Sequence, residues 1–271
     1  MTNLSKSSSP TPIIEMVKIK KKFNEQIVCQ DISLKVYKNN IISILGPSGC
    51  GKTVTLKMLI GLIVPDEGSI YFNNIDIAKL KSDEELSKIR RKISMVFQGA
   101  ALFDSMNVFE NVAYPLKTFT NYSINEIKNR VFHTLEMVGL PDVAHKMPHE
   151  LSGGMKKRIG LARAIITEPE VILYDEPTTG LDPDARRVLW QLLTDNRKLG
   201  IATLLSTHYM EEAERLCDRI AILFEGRILD LDSPQNLIQK HMGSQIIDEE
   251  IRPGVFWKRN PNLEDVYLKL T

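Results

Sequence analysis

The sequence predicts an α/β fold: a mixed sheet with flanking helices, an antiparallel β subdomain and an inserted helical subdomain. Three observations predict it. A β-branched run, Ile41–Leu45, enters a glycine-rich turn and is followed by apolar residues at helical spacing. Short apolar runs at 93–97, 171–176 and 202–208 alternate with helical patterns, so these strands have helices at hand to cover them. Between 107 and 150 the texture turns mostly helical, an insertion between strands of that core.

Length and composition set the outer bounds. The 271 residues suffice for one large α/β domain, and 43% hydrophobic with 25% charged residues is an ordinary globular balance. Lys+Arg 35 against Asp+Glu 34 leaves a net charge of +1, so no bulk field points to nucleic acid or an anionic bilayer. The three cysteines, Cys29, Cys50 and Cys217, are scattered and argue against a disulfide framework or a zinc site. Residues 1–12 are Ser/Thr/Pro-rich and are expected to be a flexible leader, not a signal peptide. No apolar run approaches the ~18 residues of a spanning helix, and a cytoplasmic chain is expected.

At the start of the chain, 13–17, Phe23 and Ile27-Val28 read as short strands around a Lys-rich turn (Lys18, Lys20, Lys21, Lys22). Residues 32–36 read as a half-exposed strand, and the lysines fit a guarded sheet edge. Phe23 is either core or a face on which a purine stacks.

The turn after Ile41–Leu45 is Gly46-Pro47-Ser48-Gly49-Cys50-Gly51-Lys52-Thr53, a match to G-x-x-x-x-G-K-[ST] in its confirming strand–turn–helix context. Its glycines let backbone N–H groups turn onto phosphates. The helix that follows, carrying Val54, Leu56, Leu59 and Ile60, aims its positive end at the same anion. Lys52 is placed to reach the β- and γ-phosphates and Thr53 to hold Mg²⁺. Cys50 is either a modifiable thiol or a small residue the loop tolerates.

Asp66-Glu67-Gly68-Ser69 makes a turn, 70–72 a strand and Asn73-Asn74 another turn. Residues 89–91 are basic, and the strand at 93–97 ends at Gln98, whose amide is either a Mg²⁺ or water ligand or a solvated loop group. In the insertion, Val108, Val112 and Leu116, then Ile127, Val131, Leu135 and Val138, keep helical spacing. Leu151-Ser152-Gly153-Gly154-Met155 opens a helix, with Ser152 a natural N-cap and room for an anion at the glycine pair. Lys156, Lys157 and Arg158 are expected to face solvent or an acidic neighbour. A plain capped helix fits this stretch, and so does a second phosphate site that meets a nucleotide held by another subunit.

The run at 171–176 ends in Asp175 and Glu176. A strand-end Asp is the usual Mg²⁺ anchor opposite a phosphate loop. The next residue points the other way, so Glu176 is free to orient or deprotonate a water. After a turn at Gly180 comes a helix over 185–199, then a strand whose exit carries His208, a structural residue or a γ-phosphate contact. A helix at 211–216, a strand at 220–224, a hairpin at Glu225-Gly226-Arg227 and a helix opened by Ser233-Pro234 close the core. An appendage with Val255-Phe256-Trp257 and a helix over 262–270 follows Met242.

Taken in order, these motifs resemble the ATP-binding subunit of ABC transporters, over about residues 14–238. The phosphate loop is 46–53, the Q-loop residue Gln98, the signature 151–155, the acidic strand 171–176, the D-loop Gly180-Leu181-Asp182 and the switch histidine His208. The signature reads LSGGM where LSGGQ is commonest, and Phe23 stands where the adenine platform is Tyr. Neither departure removes a charge or a phosphate contact.

The resemblance implies an ATPase coupled to a membrane permease. ATP would be bound by Phe23, Gly46, Pro47, Ser48, Gly49, Cys50, Gly51, Lys52, Thr53, Val54 and Gln98, and Mg²⁺ by Thr53, Gln98 and Asp175. Glu176 and His208 would be the catalytic residues. Two copies would form a homodimer in which Ser152, Gly153, Gly154 and Asp182 meet the nucleotide of the partner copy. The implied domain runs over 13–241, with its helical subdomain at about 99–158 and an appendage at 242–271. It would sit on the cytoplasmic side of the inner membrane through its permease, with no nucleic acid partner and no direct membrane insertion. Non-transport ATPases of the same fold tend to carry coiled-coil insertions or two cassettes in one chain, and neither is seen in this sequence. A purely regulatory module would be expected to lack Glu176 or His208.

Within the family, residues 98–115 (QGAALFDSMNVFENVAYP) and 151–166 look like ATPases of lipid-asymmetry phospholipid transporters. Residues 207–219 (THYMEEAERLCDR) and the Asn262-Leu263-Glu264-Asp265-Val266 tail look like drug and nodulation-factor exporters. Residues after the Q-loop generally face the permease in this family, which makes phospholipid the expected cargo.

Overall fold

The computed structural model describes residues 10–80, 82–244, 246–252 and 255–271; residues 1–9 of the expected leader lie outside them. The chain begins with β1 (Ile14–Phe23), β2 (Gln26–Val36) and β3 (Ile41–Leu45), then α1 (Lys52–Leu59), β4 (Glu67–Phe72) and β5 (Ile75–Asp76). It continues through α2 (Asp83–Arg90), β6 (Ile93–Val96), α3 (Val108–Phe119), α4 (Ile124–Met137) and α5 (Gly153–Ile165). Next come β7 (Val171–Asp175), α6 (Pro183–Lys198), β8 (Ala202–Thr207), α7 (Met210–Leu216), β9 (Arg219–Phe224) and β10 (Arg227–Asp232). The last elements are α8 (Pro234–Met242), β11 (Ile247–Arg252), β12 (Val255–Arg259) and α9 (Leu263–Leu270).

The larger sheet has the order β10-β9-β3-β8-β7-β6, parallel from β9 to β6 with an antiparallel β9–β10 hairpin. Every residue of β3, β7 and β8 is buried, which explains their mostly apolar runs: one face is covered by helices and the other by α1 and the second sheet. The second sheet, β2-β1-β4-β5, is antiparallel throughout. Ile44 and Leu56 belong to the core between the sheets, while Leu45, Tyr174 and Trp190 belong to a second core on the opposite face. This is the phosphate-loop ATPase architecture expected from the sequence.

One local expectation is corrected and one element is new. The Lys-rich stretch is no turn and no guarded edge: it lies inside β1, which runs between β2 and β4. Register shifts after Met16, Ile19 and Lys21, with Lys18 at φ 48°, break the pleat and hide its two-residue period. Lys20 and Lys21 meet Glu67 at 2.7 Å and Asp66 at 2.8 Å. Around the basic residues 89–91 there is a helix, α2, that no residue pattern announced. Only Ile89 of it is buried, so no apolar stripe announces it. Its support is local: a Ser82 cap, three acids in the first turn and Lys88 and Arg90 in the last.

In the insertion, α3 and α4 each start at a reciprocal cap, Asn107 with Glu110 and Ser123 with Glu126. Fully buried Asn111 holds the preceding loop, donating to the carbonyls of Phe103, Met106 and Asn107 and accepting from Phe103 N–H at 2.8 Å. At the far end α9 buries Leu263 and Val266 completely in the core that also holds Leu216 and Leu237. Among the described residues no helix is long and apolar enough to cross a membrane.

Candidate active site

The carboxyl ends of β3, β6, β7 and β8 point the same way, and the loops leaving them form one crevice, the general place for a ligand in an open α/β sheet. The loop after β3 folds this way because two of its positions admit only glycine. A Cβ on Gly46 would lie 2.2 Å from the Leu223 carbonyl oxygen. Gly51 has φ 108°, and its Cβ would lie 2.7 Å from the Val28 oxygen. With Gly51 at its N-cap, α1 starts without a side-chain cap, so its first amides remain available to an anion.

Lys52 is 4% exposed; its Nζ donates to the Gly46 and Pro47 carbonyls at 2.8 and 2.9 Å and stands 3.2 Å from Glu176 Oε1. Thr53 Oγ1 donates to both Asp175 oxygens, at 2.8 and 3.0 Å. Ser206, directly across from Asp175 in the β7–β8 register, donates to Asp175 Oδ1 at 2.8 Å. The sequence reading missed Ser206, whose only signal was its place in the strand beside Asp175.

Glu176 leaves β7 in the left-handed region, φ 47°. Its N–H is shared by Ser206 O at 3.1 Å and Ser206 Oγ at 3.0 Å. Around its carboxylate stand Lys52, His208 Nδ1 at 3.4 Å, Gln98 Nε2 donating at 3.4 Å and Thr179 Oγ1 donating at 3.3 Å. Burial works to raise the pKa of this carboxyl, but Lys52, His208 and Thr179 together hold it below the usual glutamate value. It therefore carries its negative charge at neutral pH. Thr179 also went unforeseen.

A cleft of about 420 Å³ collects Phe23, Ser48, Gly49, Gly51, Lys52, Thr53, Val54, Gln98 and Glu176, with Gln26 and Val28 added. Phe23, 44% exposed, presents its ring to this space with Lys21 Nζ 5.3 Å from the ring centre. Cys50 is buried, and burial pushes its thiol pKa up, which disfavours the reactive thiolate. Among the described residues no group of three or more His, Cys, Asp or Glu gathers to hold a metal unaided.

Ser152, Gly153, Gly154 and Asp182 do not line this cleft. Ser152 caps α5 by accepting from Met155 N at 3.3 Å, and Asp182 caps α6 by accepting from Ala185 N at 2.8 Å. A Cβ on Gly154 would stand 3.1 Å from Ala185 Cβ, so the two helix starts are neighbours. A Cβ on Gly153 would meet nothing within 4 Å, so this chain's own packing does not require glycine there.

For Lys157 the structure leaves the second of the two expected alternatives, an acidic neighbour: Glu212 and Glu176 both act on its charge. Instead of facing solvent it is 8% exposed and donates to the carbonyls of Thr179 at 2.6 Å and Glu176 at 3.4 Å. On the other side of β6, an apolar groove of about 480 Å³ is lined by Met95, Phe97, Phe103, Tyr114 and Phe119, among others.

Comparison with known proteins adds to this geometry. A family model described as "ABC transporter" matches residues 29–179. The methionine import ATP-binding protein MetN of Carboxydothermus hydrogenoformans is 40% identical over 88% of this chain and 74% of its own length. The intermembrane phospholipid transport system ATP-binding protein MlaF of Haemophilus influenzae is 37% identical over 84% of this chain and 86% of its own. A dimeric ATP-binding cassette solved in a post-hydrolysis state with ADP and Pi aligns with TM-score 0.76 and 32% identity, over 81% of this chain and 98% of that one.

Proposed function

The chain belongs to the ABC transporter family and is an ATPase coupled to transport, and from that premise we propose that it works as a homodimer driving a permease that moves phospholipid. The observation that carries the ATP chemistry is the convergence of Lys52, the Thr53–Asp175 pair and the charged Glu176 on one cleft.

In this reading Phe23 stacks on the adenine, the amides of residues 46–53 hold the phosphates, and Lys52 exchanges its loop carbonyls for phosphate oxygens. Glu176, ionised at neutral pH and close to His208, accepts the proton of the attacking water. His208 steadies the γ-phosphate. A Mg²⁺ fits Thr53 and Asp175, whose oxygens already face each other, with Gln98 nearby, and would neutralise charge on the phosphates. Ser152, Gly153, Gly154 and Asp182, set away from the cleft, complete the nucleotide site of the partner copy. The open space at Gly153 supports this, as does the dimeric state of the similar cassette. In this reading a permease segment seats in the apolar groove beside β6, and the chain works at the cytoplasmic face of the membrane. The same reading keeps the ATPase domain at 13–241, with a helical subdomain at about 99–158 and an appendage at 242–271.

Phospholipid as cargo is supported by residues 98–115 and by the balanced coverage of the phospholipid transport relative. Residues 207–219 favour a second reading, export of a drug or lipo-oligosaccharide. The deciding experiment reconstitutes the subunit with its native permease and follows ATP-dependent phospholipid exchange between membranes. Exchange that stops in Glu176→Gln supports the proposal. Absence of lipid movement alongside intact drug or oligosaccharide export overturns the cargo assignment.

A further inference from the structure

We propose that Lys157 is a positioning residue for Glu176, tying the carboxylate to the helix that begins at the signature glycines. The inference rests on the reading of Glu176 as the group that accepts a proton from water.

The direction of a side chain is set at its own Cα, by the orientations of the two peptide units that flank it. At Glu176 both are held. The preceding peptide donates its N–H to Ser206 O and Oγ, at 3.1 and 3.0 Å. The following peptide has its carbonyl 3.4 Å from Lys157 Nζ, and the same ammonium holds the Thr179 carbonyl more tightly, at 2.6 Å. Between these anchors Glu176 keeps φ 47°, a conformation that costs a non-glycine residue free energy and persists only where the surroundings enforce it. Thr179 closes the turn from the side-chain end by donating Oγ1 to Glu176 Oε2 at 3.3 Å.

Lys157 is a costly group to place there. It is 8% exposed, and burial pulls its pKa down while the Glu212 and Glu176 carboxylates pull the other way. Glu212 is itself fully buried: one oxygen accepts from Trp190 Nε1 at 3.0 Å and the other has no hydrogen-bond partner. The ammonium is held by two main-chain oxygens, and the Glu212 and Glu176 carboxylates act on its charge from beyond contact distance.

Lys157 lies four residues after Gly153, in the second turn of α5, whose first turn is capped by Ser152. One rigid helix thus carries the cap at one end and the grip on the Glu176 turn a single turn later. Whatever meets Ser152 and Gly153 is coupled through α5 to the carboxylate of the same chain, which faces the other nucleotide of a dimer.

The test compares Lys157→Met, which keeps the length and loses the donor and charge, with Lys157→Arg, which restores both. Phosphate release is measured against ATP concentration for the full chain with its permease. The expected result is a kcat about tenfold lower in Lys157→Met, equivalent to a small misplacement of one group. KM for ATP stays within about twofold, because the phosphate loop is untouched. Lys157→Arg recovers most of the rate. An unchanged kcat in Lys157→Met overturns the proposal. So does a joint loss in kcat, KM and melting temperature that Arg does not reverse, since that pattern belongs to a merely structural tie. If Lys157→Met does not fold, Lys157→Gln, which keeps one donor, is judged by the same criteria. Wild type and Glu176→Gln are run beside these variants: a Glu176→Gln variant that hydrolyses ATP as fast as the wild type refutes the reading underneath, independently of Lys157.

Discussion

Lys52 Nζ stands 3.2 Å from Glu176 Oε1, so the lysine of the phosphate loop and the carboxylate after β7 are partners across the cleft. A γ-phosphate arriving at Lys52 competes with Glu176 for the same ammonium. Glu176→Gln removes both that competitor and the proton acceptor. It is expected to bind ATP tighter, by about a few-fold, the scale of one partly screened charge contact, and to hydrolyse it at least ~100-fold more slowly. Nucleotide titration and phosphate release check the two halves. Light scattering should show ATP-dependent dimers accumulating in this variant, and a monomer with full activity contradicts the assignment.

If the partner copy completes the site, cysteines placed at Ser48 and Gly153 should crosslink between chains in the Glu176→Gln background with ATP. Without nucleotide the crosslinked band should be weak. A band that fails to form under any nucleotide condition rules out the head-to-tail arrangement.

Tyr114 and Phe103 pack at 4.9 Å between ring centres on the wall of the apolar groove, and both are partly exposed. Tyr114→Glu puts a charge on that wall, outside the phosphate cleft. The isolated subunit is expected to keep its ATPase rate within about twofold while permease-coupled transport falls about tenfold or more, since a buried unpaired charge at an interface is costly. Parallel assays of hydrolysis and transport decide it.

Asp230 joins β10 to α8, accepting from Lys240 Nζ at 2.7 Å, His241 Nε2 at 2.6 Å and Leu231 N at 2.8 Å. Burial tends to raise its pKa, but Lys240 and His241 outweigh this and hold it below the usual 3.8. A depressed carboxyl pKa contributes stability above the unfolded value, and that contribution is lost as pH falls through the folded value. Asp230→Asn should therefore cost about 1–2 kcal/mol at neutral pH. The gap to wild type should close only below pH 3.8. Denaturant titrations at several pH values measure it.

Leu263 is fully buried although it starts the last helix. Leu263→Ala is expected to destabilise by about 2–4 kcal/mol, the range for a core leucine. A change below about 0.5 kcal/mol would mean that α9 does not share the core's stability. Chemical denaturation followed by circular dichroism provides the number.

The sequence disclosed what depends on local pattern. The strand before Gly46, the phosphate loop and the acidic end of β7 each show as apolar runs closed by diagnostic residues. Hidden from it was everything set by which strands are neighbours. Ser206 gains its role from lying across from Asp175, thirty-one positions away along the chain. Lys157 acts through main-chain oxygens, which no residue pattern records, and Thr179 reaches the Glu176 carboxylate only because the turn folds back on itself. The helix α2 escaped for a different reason: it buries one residue and is stabilised by its ends, so periodicity had nothing to register. The bulges of β1 likewise erased the alternation that marks a strand.

Phe97 and Gln98 are consecutive residues, yet one lines the apolar groove and the other the phosphate cleft. A single peptide bond separates the wall against which a permease would press from the amide that touches Glu176. Force applied on one side would reach the other through that one peptide, with no relay through the interior.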